Sequence, residues 1–287
     1  METLEKKVEP LVENSPAYRS LRLTIADDVA EVVLIGPGKG NAAGPDFWRE
    51  IPLVFRALDR DPAVRAVIVR GEGKNFCYGL DLPAMMAEPE MRVSGENLAA
   101  ERTDLYDMIL RMQDALNAVA ECRKPVVAAI QGWCIGAGLD LIAACDIRLC
   151  ADDARFSLRE VKVAIVADMG SLQRLPTIIG EGYTRDLALT GKDVDAAYAH
   201  RIGLVTATYP DAATLLTAAW ETATLITQNP PLVVHGVKRV LNERMTRSVE
   251  DGLRFVAAWN AAFMQSHDLT EAMVAFMERR PPHFDGR

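Results

Sequence analysis

The run Ile135-Gly-Ala-Gly-Leu-Asp-Leu-Ile-Ala-Ala-Cys145 is apolar on every face except at Asp140. A helix without a polar face must be covered on all sides, so this segment belongs inside a layered fold. Strand-like runs stand before it (Pro125–Gln131) and after it (Ile147–Cys150). Its one carboxylate is costly to bury, and such a group is hydrogen-bonded, protonated or functional. Glu160 and Asp168 follow in similarly apolar surroundings. Three acids with shifted proton affinities suit the movement of protons on carbon.

The same alternation of strand and helix runs through the first two thirds of the chain. Leu21–Ile25 and Val29–Ile35 flank Asp27-Asp28 and predict a β-hairpin. A helix follows over Asp46–Asp59, with Phe47, Ile51, Val54, Phe55 and Leu58 on one face. Val64–Arg70 reads as a strand, Phe76–Pro83 as a tight turn and Leu98–Cys122 as a long helix. This order, continuing to about residue 208, implies an α/β core. Beyond Asp211 the pattern is helical, over 214–227, 233–246, 249–265 and 270–279, with Pro230-Pro231 separating the first two. The organisation expected is a lead-in over 1–18, an α/β core over 19–210, and a helical region over 211–287 that folds over a neighbour.

At 287 residues, 49% hydrophobic and 25% charged, the chain has the composition of an ordinary globular protein. A net charge of −8 gives no reason to expect a nucleic-acid partner. The five cysteines (Cys77, Cys122, Cys134, Cys145, Cys150) are odd in number and sit among apolar residues, as reduced core residues do. Their spacing matches no common zinc pattern, and His200, His235, His267 and His283 stand far along the chain from any of them. No stretch is long and apolar enough to predict a membrane span, and METLEKKVEPLVEN lacks the apolar core of a secretory signal. A cytoplasmic location is expected.

Phe76-Cys-Tyr-Gly-Leu-Asp-Leu82 and Ile135-Gly-Ala-Gly-Leu-Asp140 each offer a backbone N–H at a tight glycine turn. Two such donors aimed at one point form an oxyanion hole able to stabilise an enolate from a thioester. Taken singly, each turn is weak evidence, because short glycine turns more often simply join elements. The acids have plain alternatives too. Asp168 could cap the helix that follows, Glu160 could pair with Arg159 or Lys162 at the surface, and Asp140 could be a satisfied structural carboxylate. Asp146 suggests a local ion pair with Arg148, and Asp81 could close its own turn. Tyr78 could narrow an acyl pocket or face solvent. The methionines at 85, 86, 91, 108 and 112 read first as core filling, although flexible Met also suits a variable fatty chain.

These segments, with Pro37-Gly-Lys-Gly-Asn-Ala42 upstream and Leu172-Gln-Arg-Leu-Pro176 downstream, resemble the enoyl-CoA hydratase/isomerase (crotonase) superfamily over about residues 20–275. The resemblance implies an α/β fold: a crotonase-like spiral of ββα units with a C-terminal helical trimerisation region. It implies an acyl-CoA thioester substrate, no separate cofactor because coenzyme A is part of the substrate, and a homotrimer or hexamer (dimer of trimers). By position it puts the two oxyanion donors on the backbone N–H of Leu80 and of Ala137.

Hydratases of that family carry glutamates at the positions of Asp140 and Glu160. The set Asp140, Glu160 and Asp168, together with CDIRLCADDA, VADMGSLQRLP and Phe255-Val-Ala-Ala-Trp259-Asn, is similar to the Δ3,5-Δ2,4-dienoyl-CoA isomerases of fatty acid β-oxidation. The resemblance then implies that Glu160 and Asp168 exchange protons with C2 and C6 of the acyl chain, in either assignment. Two alternatives stay open: a hydratase adding water to 2-enoyl-CoA, and a non-catalytic acyl-CoA-binding subunit. The C-terminal apolar residues Leu253, Val256, Ala257, Phe263, Met264, Met273 and Phe276 are expected to pack between subunits.

Overall fold

A computed structural model describes residues 18–36, 39–91 and 99–282, without the side chains of 243–249, 252, 259 and 263. Nearly all of the expected lead-in, residues 37–38 of the upstream motif, the expected helix start at Leu98, the side chains of Trp259 and Phe263, and His283 lie outside the described residues. Strands β1 (Leu21–Ala26) and β2 (Val29–Leu34) form the expected antiparallel hairpin. Asp27 and Asp28 turn it with φ of 49° and 65°, a left-handed pair that Asp tolerates better than most residues and that matches the twist of the strands. Helix α1 (Pro45–Arg60) buries the face expected of it.

Strand β3 (Ala66–Gly71) then lies parallel to β2. Next come α2 (Leu82–Met85), capped by the Asp81 side chain, and the long α3 (Ala99–Glu121), which packs on α1. Strands β4 (Val126–Ile130) and β5 (Trp133–Ile135) lead to α4 (Ala137–Ala144), buried along its whole length as its sequence requires. Strands β6 (Ile147–Ala151) and β7 (Arg155–Ser157) follow. Beyond them lie α5 (Ser171–Ile179), α6 (Glu181–Thr190), β8 (Val194–Asp195), α7 (Ala196–Arg201) and β9 (Ala207–Tyr209).

Each turn of chain thus adds one strand to each of two layers. The larger sheet has the order β1-β2-β3-β4-β6-β9, and the smaller one the order β5-β7-β8. Single bridges Ala43↔Leu80 and Cys77↔Cys134 extend the second layer to the earlier turns. One core fills the space between the layers, α1 and α3; a second lies under α8 (Ala212–Thr227), where Leu215, Ala219 and Ala223 meet Ile68, Val127 and Leu149. The sequence boundary at residue 211 had placed α8 outside the core that it helps to close.

The two helices expected over 233–246 and 249–265 are one, α9 (Pro231–Phe263), followed by α10 (His267–Glu278). Thr246 and Ser248 are weak helix formers, but neither proline nor glycine lies between the two expected segments to break the helix. Asp146 does not pair with Arg148. Its Oδ2 accepts from Val126 N–H at 2.7 Å and from the buried Lys238 of α9 at 2.6 Å. Arg148 instead donates to the carbonyls of Leu204 and Cys145 at 2.8 and 2.7 Å. All five cysteines are free and buried. Among the described residues no helix is long and apolar enough to cross a membrane.

Candidate active site

The two glycine turns lie some fifty residues apart in sequence and are brought together by strand pairing. Phe76 and Cys77 N–H groups donate to the Trp133 carbonyl at 3.1 and 3.0 Å, and Ile135 N–H donates back to the Cys77 carbonyl at 2.9 Å. This register leaves Gly79 and Gly136, with φ of 85° and 49°, facing one another at the strand ends. A Cβ at Gly79 would stand 3.0 Å from the Ile135 carbonyl oxygen and 3.8 Å from the Gly136 Cα. Only glycine combines that backbone with so close an approach.

The residue after each glycine turn has its N–H directed away from the sheet. At the Ala43↔Leu80 bridge, Ala43 donates to the Gly79 carbonyl and Asp81 to the Ala43 carbonyl, so the Leu80 N–H between them points to the opposite side. Ala137 opens α4, where the first N–H groups have no intrahelical acceptor. Both residues line a cavity of about 780 Å³, and so do Asp140, Glu160 and Asp168. All five positions singled out from the sequence therefore meet in one place.

The acids arrive there from three elements. Asp140, in the first turn of α4, is 1% exposed, and its Oδ1 accepts from the N–H of Ser171 at 2.7 Å. It thereby satisfies the first N–H of α5, a helix whose start at Gly170 offers no side-chain cap. Glu160 begins a 3-10 turn over Glu160–Val163. Gly136 N–H bonds the Ser157 carbonyl at 3.0 Å, and this carries the following chain past the glycine turn. Glu160 Oε1 lies 3.1 Å from where a Gly136 Cβ would stand, while its Oε2 is enclosed without a hydrogen-bond partner. The surface ion pair considered for Glu160 is absent, since Arg159 pairs with Asp193. Asp168 does not cap α5. Its Oδ2 accepts from Asn260 Nδ2 of α9 at 2.7 Å.

Burial raises the proton affinity of all three carboxyl groups. It pushes Asp168 up to about 7, with Asp140 adding to the rise and the Asn260 hydrogen bond opposing it. Glu160 is raised by burial first and then by the negative charges of Asp140 and Asp168. Asp140 is raised by burial and held back by its hydrogen bond from Ser171 and by Arg174. Arg174, buried in α5, donates to Asn117 Oδ1 at 2.6 Å and supplies the nearby positive charge. Neutral pH thus leaves protons distributed within the cluster, as a site passing protons both ways requires.

Much of the remaining cavity wall is apolar, with Trp48, Met91, Ile109, Met112, Met169, Met264 and Phe276, while Lys39, Asp81 and Arg159 add charged groups to it. Of the methionines marked in the sequence, Met85 and Met108 are core residues, whereas Met91 and Met112 face this space. Tyr78 also lines it, its ring folded over Gly40. Among the described residues no group of three or more His, Cys, Asp or Glu is placed to hold a metal ion.

Residues 24–287 match the enoyl-CoA hydratase/isomerase family. The chain belongs to that family. Proteins named Δ3,5-Δ2,4-dienoyl-CoA isomerase are similar to it. The mitochondrial one of Dictyostelium discoideum is 45% identical over 93% of this chain and 92% of its own. The peroxisomal one of Arabidopsis thaliana is 40% identical over 95% and 98%. An enoyl-CoA hydratase/isomerase crystal structure from Pseudoalteromonas atlantica T6c superposes with a TM-score of 0.81, at 26% identity over 93% of this chain and all of that one. The crotonase-like spiral read from the sequence is therefore the fold.

The family relatives correct the expected location. They are named mitochondrial or peroxisomal, and the cytoplasmic expectation does not stand. It rested on reduced cysteines and a missing secretory core, which argue against export but do not distinguish the cytosol from an organelle matrix. Sequence reasoning gave no role to the residues that hold the acids, although Asn260 ends one of the strings that carry the resemblance. Gln113 follows the apolar spacing of α3 with Ile109, Met112 and Leu116, and Asn260 that of α9 with Val256 and Ala257. A polar residue on an otherwise buried helical face was the available signal.

Proposed function

We infer that this chain isomerises 3,5-dienoyl-CoA to 2,4-dienoyl-CoA, a reaction of fatty acid β-oxidation. One observation carries the reading: a third carboxyl group, Asp168, shares an apolar cavity with Asp140 and Glu160 beside two outward-facing backbone N–H groups. Water addition across a double bond needs only a paired set of acids. Moving a double-bond pair along the chain needs proton exchange at two separated carbons.

In this reading the thioester oxygen is bound by the N–H groups of Leu80 and Ala137, and α4 adds the positive end of its dipole. Ionised Glu160 takes a proton from C2. The electron pair of that C–H bond spreads over C1 to C6 as a dienolate, with negative charge on the thioester oxygen. Protonated Asp168 delivers a proton to C6, and the double bonds settle at 2,4. Glu160 ends protonated and Asp168 ionised, so one further proton transfer resets the site. Asp140, anchored on Ser171, keeps a negative charge near Glu160 and strengthens it as a base. The roles of Glu160 and Asp168 exchange if the acyl chain lies the other way.

Offering 3,5-dienoyl-CoA and 2-enoyl-CoA separately to the pure protein and following ultraviolet absorbance tests the reading. The expected result is growth of the absorbance of a diene conjugated to the thioester with the first substrate. Loss of enoyl absorbance with the second, without any change in the first, identifies a hydratase instead.

The assembly proposed is a homotrimer or a dimer of trimers. Leu253, Val256, Ala257 and Met264 do not supply its interface, because they are buried within the chain; Met273 is partly buried, and Phe263 lies outside the described side chains. A different stripe on α9 supports the proposal: Val233, Val237, Val240 and Leu241 recur at helical spacing and are more than half exposed. Light scattering at micromolar concentration is expected to give a multiple of three chains, and a monomer overturns the assembly.

A further inference from the structure

Residues 165–168, which carry Asp168 to the cavity, belong to no strand or helix. Two side-chain amides from remote helices hold them. Gln113 of α3 donates from Nε2 to the Asp168 carbonyl at 2.8 Å and to the Leu253 carbonyl at 3.1 Å. Asn260 of α9 donates from Nδ2 to the Val166 carbonyl at 2.9 Å and to Asp168 Oδ2 at 2.7 Å. Both amides are almost completely buried, at 3% and 2% exposure. The Val166 carbonyl only accepts, so the nitrogen of the Asn260 amide must face this segment, and both of its hydrogens are used.

We propose that Asn260 is a positioning residue for Asp168, holding Oδ2 toward α9 so that the other carboxyl oxygen is presented to the acyl chain. The proposal rests on the isomerase reading above and assigns a part of that machinery lying outside the three acids and the glycine turns. An amide N–H stabilises the ionised carboxylate more than the neutral acid, so Asn260 also sets where Asp168 exchanges its proton. The charged groups around Asp168 are Asp140 of α4, Glu160 of the 3-10 turn, and Arg174 of α5, which donates to the Met169 carbonyl next along the chain. Helices α3 and α9 meet it with the neutral amides Gln113 and Asn260. A hydrophobic residue at 260 would fill the volume and orient nothing.

Asn260→Leu keeps the size and removes both donors. The kcat for the dienoyl thioester is expected to fall at least about tenfold, with KM changed less than about threefold. The limb of the pH–kcat profile that belongs to Asp168 moves up by roughly one pH unit, a change that loosened packing alone does not produce. In an Asp168→Asn background the same substitution should alter kcat by less than about twofold, because the group it acts through is gone. An unmoved limb together with multiplying losses in the double variant overturns the proposal.

Circular dichroism checks the fold. Should Asn260→Leu not fold, Asn260→Ser, which retains one donor, must show a smaller shift in the same direction, and no shift overturns the proposal. Should the unaltered protein prove inactive on dienoyl-CoA, the isomerase reading fails separately. Infrared titration of the Asp168 carboxyl, assigned against Asp168→Asn, then decides whether Asn260→Leu raises its midpoint.

Discussion

On one side of the cavity, the N–H groups of Leu80 and Ala137 are set by backbone hydrogen bonds between neighbouring strands and by two glycines with positive φ. On the other side, Asp168 lies in an irregular segment that depends on amides from α3 and α9. The first arrangement needs almost nothing of side chains, because any residue except proline supplies an N–H. The second depends on single side chains and on the docking of helices that are distant in sequence. One half of the site should therefore tolerate side-chain changes that the other half does not.

The largest effects are expected on the acid side. Glu160→Gln and Asp168→Asn should each lower isomerase turnover by about 10²–10⁴-fold while leaving the fold intact. Steady-state assays with circular dichroism as a control check this, and near-normal turnover removes that residue from the proton relay.

The backbone side gives a sharper contrast. Leu80→Ala should change turnover only a few-fold, whereas Ala137→Pro deletes a donor and should cost about 10²–10³-fold. Proline is tolerated in the first turn of a helix, so the variant is expected to fold, which circular dichroism checks. A folded Ala137→Pro protein with unchanged turnover means that this N–H stabilises no oxyanion.

Smaller effects appear in stability against pH. Asp168 has an unfolded value of roughly 4 and is raised to about 7 in the fold. A carboxyl group raised in this way favours the folded state fully only below the unfolded value, and that contribution is lost as pH climbs through the folded one. Asp168→Asn has no ionisation to lose. Its stability relative to the unaltered protein should therefore rise between pH 4 and pH 8, by on the order of 1–3 kcal/mol. Denaturant titrations at the two pH values measure it, and a constant difference means that Asp168 is not held protonated by burial.

Much of this was legible in the chain. The hairpin at Asp27-Asp28, the buried face of α1 and the fully buried α4 follow from local periodicity and turn chemistry. The five site positions followed from two glycine turns and from acids in apolar surroundings, with the family resemblance assigning their parts. Two of the misreadings share one cause. Asp146 was paired with Arg148 because that residue lies two positions away, yet its partner is Lys238, 92 residues on. The apolar stripe at 253–264 was given to a neighbouring subunit, yet it packs against this chain's own core. Periodicity shows that a face is buried and does not name what covers it.

The sequence by itself determined the early hairpin, α1 and the buried α4, where the chain needs glycine, and which carboxylates could not lie in water. These depend on backbone conformation and on the cost of desolvation, both properties of a few adjacent residues. The tertiary structure alone decided that Ser171 N–H anchors Asp140, that Asn260 holds Asp168, and that Glu160 keeps an oxygen without a partner. Such contacts arise where elements far apart in the chain meet, and a hydrogen bond reaches only about 3 Å, so its partner is a fact of packing and not of spacing.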